Sequence, residues 1–221
     1  MSMNIAIDGP AGAGKSTIAK KVAKEMGFIY VDTGAMYRSL ALYFIRQGID
    51  KDDETKISEA VKDCNVTIDY VNGEQQVILN GENVTGLIRT EEVGNMASAS
   101  SVFKDVRTKL VSLQQDLAKS KDVIMDGRDI GTCVLPEAQV KVFLTASVDE
   151  RASRRYKELV EKGENPDLDK IKKDIEERDY RDSHRENSPL RQAEDAVLVD
   201  SSNMTIEEVV NAITKLCKDK M

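Results

Sequence analysis

One histidine and three cysteines are all the imidazole and thiol chemistry that 221 residues provide. Cys64, Cys133 and Cys217 stand far apart, with no C-x-x-C pair. Free thiols in a reducing compartment are therefore expected, with structural roles for all three. A single histidine, His184, excludes a Cys/His zinc site and a two-histidine metalloprotease site. A Ser-His-Asp triad would have to use it. It sits in the run Arg-Asp-Ser-His-Arg-Glu, where an exposed polar role fits better.

Other scarcities exclude other classes. Four prolines and 13 glycines, beside 40% hydrophobic and 32% charged residues, rule out collagen-like and low-complexity chains and speak against wholesale disorder. No apolar run approaches the ~18 residues of a membrane span; the longest are strand-sized, such as 140–146 with Lys141 inside it. The first residues, Met-Ser-Met-Asn-Ile-Ala-Ile-Asp, hold neither a basic leader nor an apolar signal core, so the cytoplasm is the expected location. The net charge of -7, from 39 acids against 32 bases, disfavours nucleic acid and anionic membrane surfaces as partners. Without coiled-coil heptads a monomer is expected. The length suits one domain, or one with an insertion, burying roughly 70% of the surface of its unfolded form.

The pattern is that of strands alternating with helices. Residues 3–8 form a short apolar strand ending in Asp-Gly-Pro, and 15–26 place Ile18, Val22 and Met26 at helical spacing with Ala19 and Ala23 beside them. A second strand, 28–32, leads through Thr33-Gly34 into a helical pattern carrying Met36, Leu40 and Phe44. From 65 to 86 the character changes. Val66, Ile68 and Tyr70 alternate with polar residues, 77–79 is apolar, and Asn72-Gly73 and Asn80-Gly81 supply hairpin turns, together a small antiparallel meander. Helical periodicity resumes through Val93, Val106, Leu110, Leu113 and Leu117. Buried parallel strands are expected at 123–126 and 140–146, charged helices over 151–182 with a break at 163–166, and a last strand and helix at 196–200 and 205–217. The fold class is α/β, a parallel sheet flanked by helices.

The strongest chemical signal is Gly9-Pro10-Ala11-Gly12-Ala13-Gly14-Lys15-Ser16, followed by Thr17. It fits G-x-x-x-x-G-K-[ST] between a strand and a helix, the setting of a phosphate-binding loop. Glycines let successive N–H groups converge on one anion, and the helix opening at Lys15 adds free donors and its positive end. Lys15 can reach the β/γ-phosphates of ATP, and Ser16 can ligate Mg²⁺.

Three further clusters bear on the acceptor. Asp32-Thr33-Gly34-Ala35-Met36-Tyr37-Arg38 puts a hydroxyl and an arginine at a strand's C-terminal end, where α/β proteins bind ligands; a helix cap beside a surface arginine is the plainer alternative. Asp126-Gly127-Arg128-Asp129 also follows a strand. Asp126 there could orient a Mg²⁺ shell through water, with Arg128 and Asp129 open to an acceptor, or the segment could be a charged turn. Arg151, Arg154 and Arg155, and again Arg178, Arg181, Asp182 and Arg185, recur at i, i+3, i+4 and i+7 spacing, so each set shares a helix face. Such faces are often solvated salt-bridge surfaces. The need for cations over a transferring phosphoryl group favours the functional reading.

Missing motifs narrow the choice. The chain has no N/T-K-x-D guanine motif, and no H-R-D or D-F-G of protein kinases. No general base stands near the clusters, which suits an acceptor that is already anionic. A phosphate monoester, with a second pKa of about 6, needs no deprotonation at neutral pH. The residues thus point to a small-molecule kinase with a phosphorylated acceptor. The alternatives are another small P-loop kinase, acting on shikimate or another nucleoside monophosphate, and a nucleotide-binding switch.

The segments Ile-Asp-Gly-Pro-Ala-Gly-Ala-Gly-Lys-Ser, Asp-Thr-Gly-Ala-Met-Tyr-Arg, Ile-Arg-Thr-Glu-Glu-Val, Asp-Gly-Arg-Asp-Ile-Gly-Thr and Glu-Arg-Asp-Tyr-Arg-Asp, in this order, resemble the bacterial cytidylate (CMP/dCMP) kinases. The resemblance spans essentially the whole chain. It implies one P-loop kinase domain over 1–221: a P-loop NTPase-type parallel sheet as core (1–60, 100–148 and 190–221), the meander at 61–99 as monophosphate-binding insert, and a short helical lid at 149–189. It implies transfer from ATP, with Mg²⁺, to CMP or dCMP. Gly9 to Thr17 would hold ATP; Thr33, Arg38, Arg128 and Arg185 the acceptor phosphate. Ser98, Arg107 and Asp129 would read cytosine and Asp182 the sugar hydroxyls. Arg154, Arg178 and Arg155 would clamp the phosphates, with Lys15, Arg128, Arg154, Arg178 and Arg185 as the catalytic cations.

Overall fold

The computed structural model describes residues 2–221. The chain forms two compact units, one of Met3–Phe28 with Ile124–Met221, the other of Ile29–Val123.

The main sheet has five strands, β1 (Asn4–Asp8), β2 (Ile29–Asp32), β6 (Val123–Gly127), β7 (Val140–Thr145) and β8 (Val197–Asp200), in the order β2-β6-β1-β7-β8. It is a parallel sheet. β1 pairs with β7 from Ile5 opposite Val140 to Asp8 opposite Phe143, and β7 with β8 from Val142 opposite Val197 to Thr145 opposite Asp200. Ile5, Ala6 and Ile7 are all fully buried, so β1 is covered on both faces, as an unbroken apolar strand in a parallel sheet must be.

In the first unit, helix α1 (Lys15–Met26) follows β1 and buries Ile18, Ala19, Val22 and Ala23, the stripe read from the sequence. The final helix, α8 (Ile206–Lys218), opens on a capping box between Thr205 and Glu208 and lies against α1. Helices α6 (Val148–Glu161) and α7 (Leu168–His184) pack together after the expected break, with Ser147 and Asp167 as their N-caps.

The second unit holds α2 (Thr33–Arg46), α3 (Glu54–Asp63), α4 (Glu91–Ser100), α5 (Lys104–Lys119) and the meander β3 (Val66–Val71), β4 (Glu74–Leu79), β5 (Glu82–Asn83), in sheet order β3-β4-β5. The turns fall where the Asn-Gly pairs stand, with both residues of each pair at positive φ (Asn72 53°, Gly73 79°, Asn80 50°, Gly81 85°), the mirror-image turn that matches strand twist. Two details differ from the simplest sequence pattern. The helical stretch beyond residue 90 is two helices, and α5 turns Val106, Arg107, Leu110, Gln114 and Ala118 inward, leaving Leu113 and Leu117 half-buried at the edge of that face.

Candidate active site

The phosphate loop begins where β1 ends. Gly9, at φ 152°, lies so close to β7 that a Cβ would come within 1.9 Å of the Leu144 carbonyl oxygen, so only glycine fits. Gly14, at φ 83°, is the N-cap of α1 and brings no side chain to the first-turn N–H groups, leaving the helix start open to an anion. Lys15 is buried and donates to the carbonyl of Pro10 at 2.7 Å. Burial pushes its pKa well below the ordinary lysine value, and the positive charges of Arg128 and Arg178 push the same way, against Asp126 and Asp8. Ser16 donates its hydroxyl to Oδ2 of Asp126 at 2.9 Å, so the two residues expected to attend a metal do meet.

The second part of the site follows β6. After Asp126, Arg128 and Asp129 the chain makes a π-helical turn, Ile130–Val134. Its first two amides, Ile130 and Gly131, donate to the two oxygens of Asp8 at 2.8 and 2.7 Å. The last residue of β1 therefore fixes the backbone immediately after Asp129. Burial lifts the Asp8 carboxyl to about 6, against the lowering effect of those two amide bonds.

Arginines and carboxylates then pair within the first unit. Arg128 donates Nε to Asp182 at 2.8 Å, and Arg185 lies 3.4 Å from Asp129. For Asp182 burial alone would raise the pKa; the charges of Arg128 and Arg178, and the hydrogen bond from Arg128, outweigh it and hold the carboxyl below its usual value. Burial would lower the pKa of Arg128, but the charge and hydrogen bond of Asp182, with the charges of Asp126 and Asp179, more than reverse this. Arg151 reaches the carbonyls of Ala146 and Ala11, and Arg154 reaches Glu150 and the carbonyl of Ser201. Arg155, about half exposed, pairs with Glu158. The three share an arc of the helix but meet different partners, because i+3 and i+4 positions are spread over about 100° around the axis.

The second unit places the other expected acceptor residues. Thr33 opens α2 and is buried. Asp32 caps that helix through the Ala35 amide at 2.9 Å, and Arg89 pairs with the same carboxylate. The Gln75 side chain brackets the Asp32 backbone, accepting from its N–H at 2.8 Å and donating to its carbonyl at 3.1 Å. The Arg38 Nη1 lies beside Gly34. Ser98 on α4 is buried, as is Arg107 on α5, whose guanidinium lies 5.9 Å from the Tyr37 ring centre.

Asp8, Arg89, Gln75 and Asp179, which accepts from the Ala11 N–H and pairs with Arg151, carry structural duties at the site that the motifs do not announce. His184 is exposed and stacked on Tyr180, 4.0 Å between ring centres. The three cysteines are free; burial pushes the Cys64 thiol up to about 12 and Cys217 to about 11, outside the reactive range.

A family model described as cytidylate kinase matches residues 5–219. The chain belongs to the cytidylate kinase family. It is 53% identical to a cytidylate kinase of Caldicellulosiruptor saccharolyticus, over 97% of this chain and 95% of that one, and 50% identical to one of Leuconostoc mesenteroides, over 100% and 98%. Family membership makes the chain a kinase, with ATP as phosphoryl donor. Among solved structures, a shikimate kinase from Bacteroides thetaiotaomicron aligns with TM-score 0.50 at 13% identity, over 98% of each chain. An uncharacterized protein from Eubacterium ventriosum aligns with TM-score 0.55 at 11% identity, over 98% and 99%. These two share the family's P-loop kinase fold. Among the described residues no helix is long and apolar enough to cross a membrane.

Proposed function

We propose that this kinase transfers the γ-phosphoryl group of ATP to CMP and dCMP, giving CDP and dCDP. The observation that carries the reading is the Asp-Gly-Arg-Asp turn after β6. Its Asp129 pairs with Arg185 and its Arg128 with Asp182 of α7, so two arginine-paired carboxylates stand in the unit that holds the phosphate loop. Such carboxylates can accept hydrogen bonds from a substrate, while the arginines can take up phosphate oxygens.

The roles are those that the family resemblance implies, position by position. Gly9, Pro10, Ala11, Gly12, Ala13, Gly14, Lys15, Ser16 and Thr17 form the donor loop. Thr33, Arg38, Arg128 and Arg185 hold the acceptor phosphate, Ser98, Arg107 and Asp129 read the base, and Asp182 takes the sugar hydroxyls. Cytosine offers an amino donor and two acceptors, which a carboxylate and a guanidinium complement; uracil would turn an oxygen toward Asp129. Arg154, Arg178 and Arg155 clamp the phosphates. No base is required, because the acceptor oxygen is already anionic.

Among the described residues no group of three or more His, Cys, Asp or Glu could hold a metal ion by itself. The donors present, the Ser16 hydroxyl and the Asp126 carboxylate, are hard oxygens that fit Mg²⁺ sharing its remaining positions with nucleotide and water. When bound, Mg²⁺ supplies neutralisation of charge on the phosphate oxygens. The stretch 61–99 serves as monophosphate-binding insert and 149–189 as lid on the remaining core. The enzyme works as a cytoplasmic monomer.

ADP release from Mg-ATP against CMP, dCMP, UMP, AMP, GMP, shikimate and no acceptor tests the reading. Turnover confined to CMP and dCMP is expected, falling about 100- to 1,000-fold in Lys15→Ala, as when one preorganised donor to the transition state is removed. Turnover with shikimate or a purine nucleotide alone would overturn it.

A further inference from the structure

The third residue of the phosphate loop, Ala11, is gripped from both sides by one ion pair. Arg151 on α6, only 4% exposed, gives Nη1 to the Ala11 carbonyl at 2.8 Å and to Oδ2 of Asp179 at 2.6 Å, and Nε to the Ala146 carbonyl at 2.9 Å. Asp179 on α7 accepts the Ala11 N–H on Oδ1 at 3.2 Å. The two consecutive peptides that meet at Ala11 are thus fixed in orientation by one guanidinium and one carboxylate. The first of them also receives Lys15, whose Nζ donates to the Pro10 carbonyl oxygen at 2.7 Å. A carboxylate on its N–H and an ammonium on its C=O polarise that peptide in the same sense, each strengthening the other's bond.

A carboxylate on a loop built to bind anions works against that binding by Coulomb repulsion, unless its charge is cancelled and its geometry is needed. Arg151 does the cancelling, and the Ala11 amide shows the geometry. Asp179 also stands between two residues of the proposed site, directly after Arg178 and one helical turn before Asp182. Asp182 is itself held by Arg128. Helix α7 is therefore tied at one turn to the donor loop and at the next to the Asp-Gly-Arg-Asp turn.

We infer that Arg151 and Asp179 are positioning residues for phosphoryl transfer. As one unit they set the Pro10-Ala11-Gly12 backbone in the shape that presents the donor-phosphate amides, and they lock that shape to the helix carrying Arg178 and Asp182. Neither touches a reacting atom. The inference rests on the CMP reading only for the acceptor, and its donor half stands without it.

The test compares the wild type with Asp179→Asn, Arg151→Lys and the double variant. Asparagine is isosteric and still accepts the Ala11 N–H but drops the charge that holds Arg151. Lysine keeps the charge but lacks the fork that spans three oxygens. Calorimetric titration with ATP alone is paired with steady-state rates with CMP. Each single variant is expected to raise the Kd and KM for ATP about five- to tenfold, the loss of one charge-assisted contact. The Kd for CMP measured without ATP should stay within about twofold, and the double variant should be hardly worse than the poorer single, since one unit has been removed. Wild-type ATP affinity in both singles, additive losses in the double, or a fall of kcat alone that follows the melting temperature would each overturn the inference. Should the wild type phosphorylate no nucleoside monophosphate, the acceptor reading fails and the ATP titration alone decides the pair.

Discussion

The Asp-Gly-Arg-Asp turn of the first unit and the meander of the second are held in opposite ways. Around the turn, buried charges fix buried backbone: Asp8 clamps two amides, Arg128 holds Asp182, and Arg185 stands by Asp129. In the meander, Asn-Gly turns and alternating side chains set the register; a neutral amide, Gln75, ties it to the backbone of Asp32, and its charged tie to α2, Glu82 with Arg46, is solvent-exposed and so weak. Charge networks hold a shape stiffly but expose it to pH and to the loss of one partner. Neutral bonds and turns are individually weaker and far more forgiving.

The sharpest way to break the first region is Arg128→Met. It leaves the buried Asp182 without its hydrogen-bond partner, with only the more distant charges of Arg178 and Arg185, and the unfolding free energy is expected to fall by about 3 kcal/mol, the low end of the range for breaking a buried pair from one side. Urea melts measure it, and a loss below 1 kcal/mol would mean that water already reaches the pair.

Next comes pH. The Asp8 carboxyl rises from 3.8 unfolded to about 6 folded, so the folded state favours its protonated form. Its contribution to stability is full below about pH 4 and is lost as pH rises through 6, an effect of about 3 kcal/mol. Unfolding free energies of the wild type and Asp8→Asn should therefore diverge between pH 4 and 7, the wild type losing ground. A constant difference across that range would show that Asp8 keeps an ordinary pKa.

The smallest effect is expected in the second unit. Gln75→Ala removes two neutral hydrogen bonds and should lower stability by about 1–2 kcal/mol, with no pH dependence of its own. A loss as large as that of Arg128→Met would erase the contrast between the two regions.

Most of the fold is legible along the chain because β1, β6 and β7 are strand-length apolar runs, β7 interrupted only by Lys141, and the helices keep regular apolar spacing. Helix α3 is the gap. Its ten residues bury only Ile57 and Val61, too few to stand out as a periodic stripe. Of the site, the loop and the arginine spacings are legible because their chemistry is local in sequence. Asp8 and Asp179 are not, since each works on backbone amides more than 100 residues away in the chain. Helical spacing also shows that Arg151, Arg154 and Arg155 share a face without showing that the first turns into the phosphate loop while the last pairs with Glu158 at the surface.

The central claim is that the arginine-paired carboxylates after β6 and on α7 select the acceptor. The most direct measurement is the ratio of kcat/KM for CMP to that for UMP in the wild type and in Asp129→Ala. The account expects a strong wild-type preference for CMP that falls at least tenfold in the variant, the worth of about one hydrogen bond to a charged group. An unchanged ratio would remove Asp129 from base recognition and contradict the account.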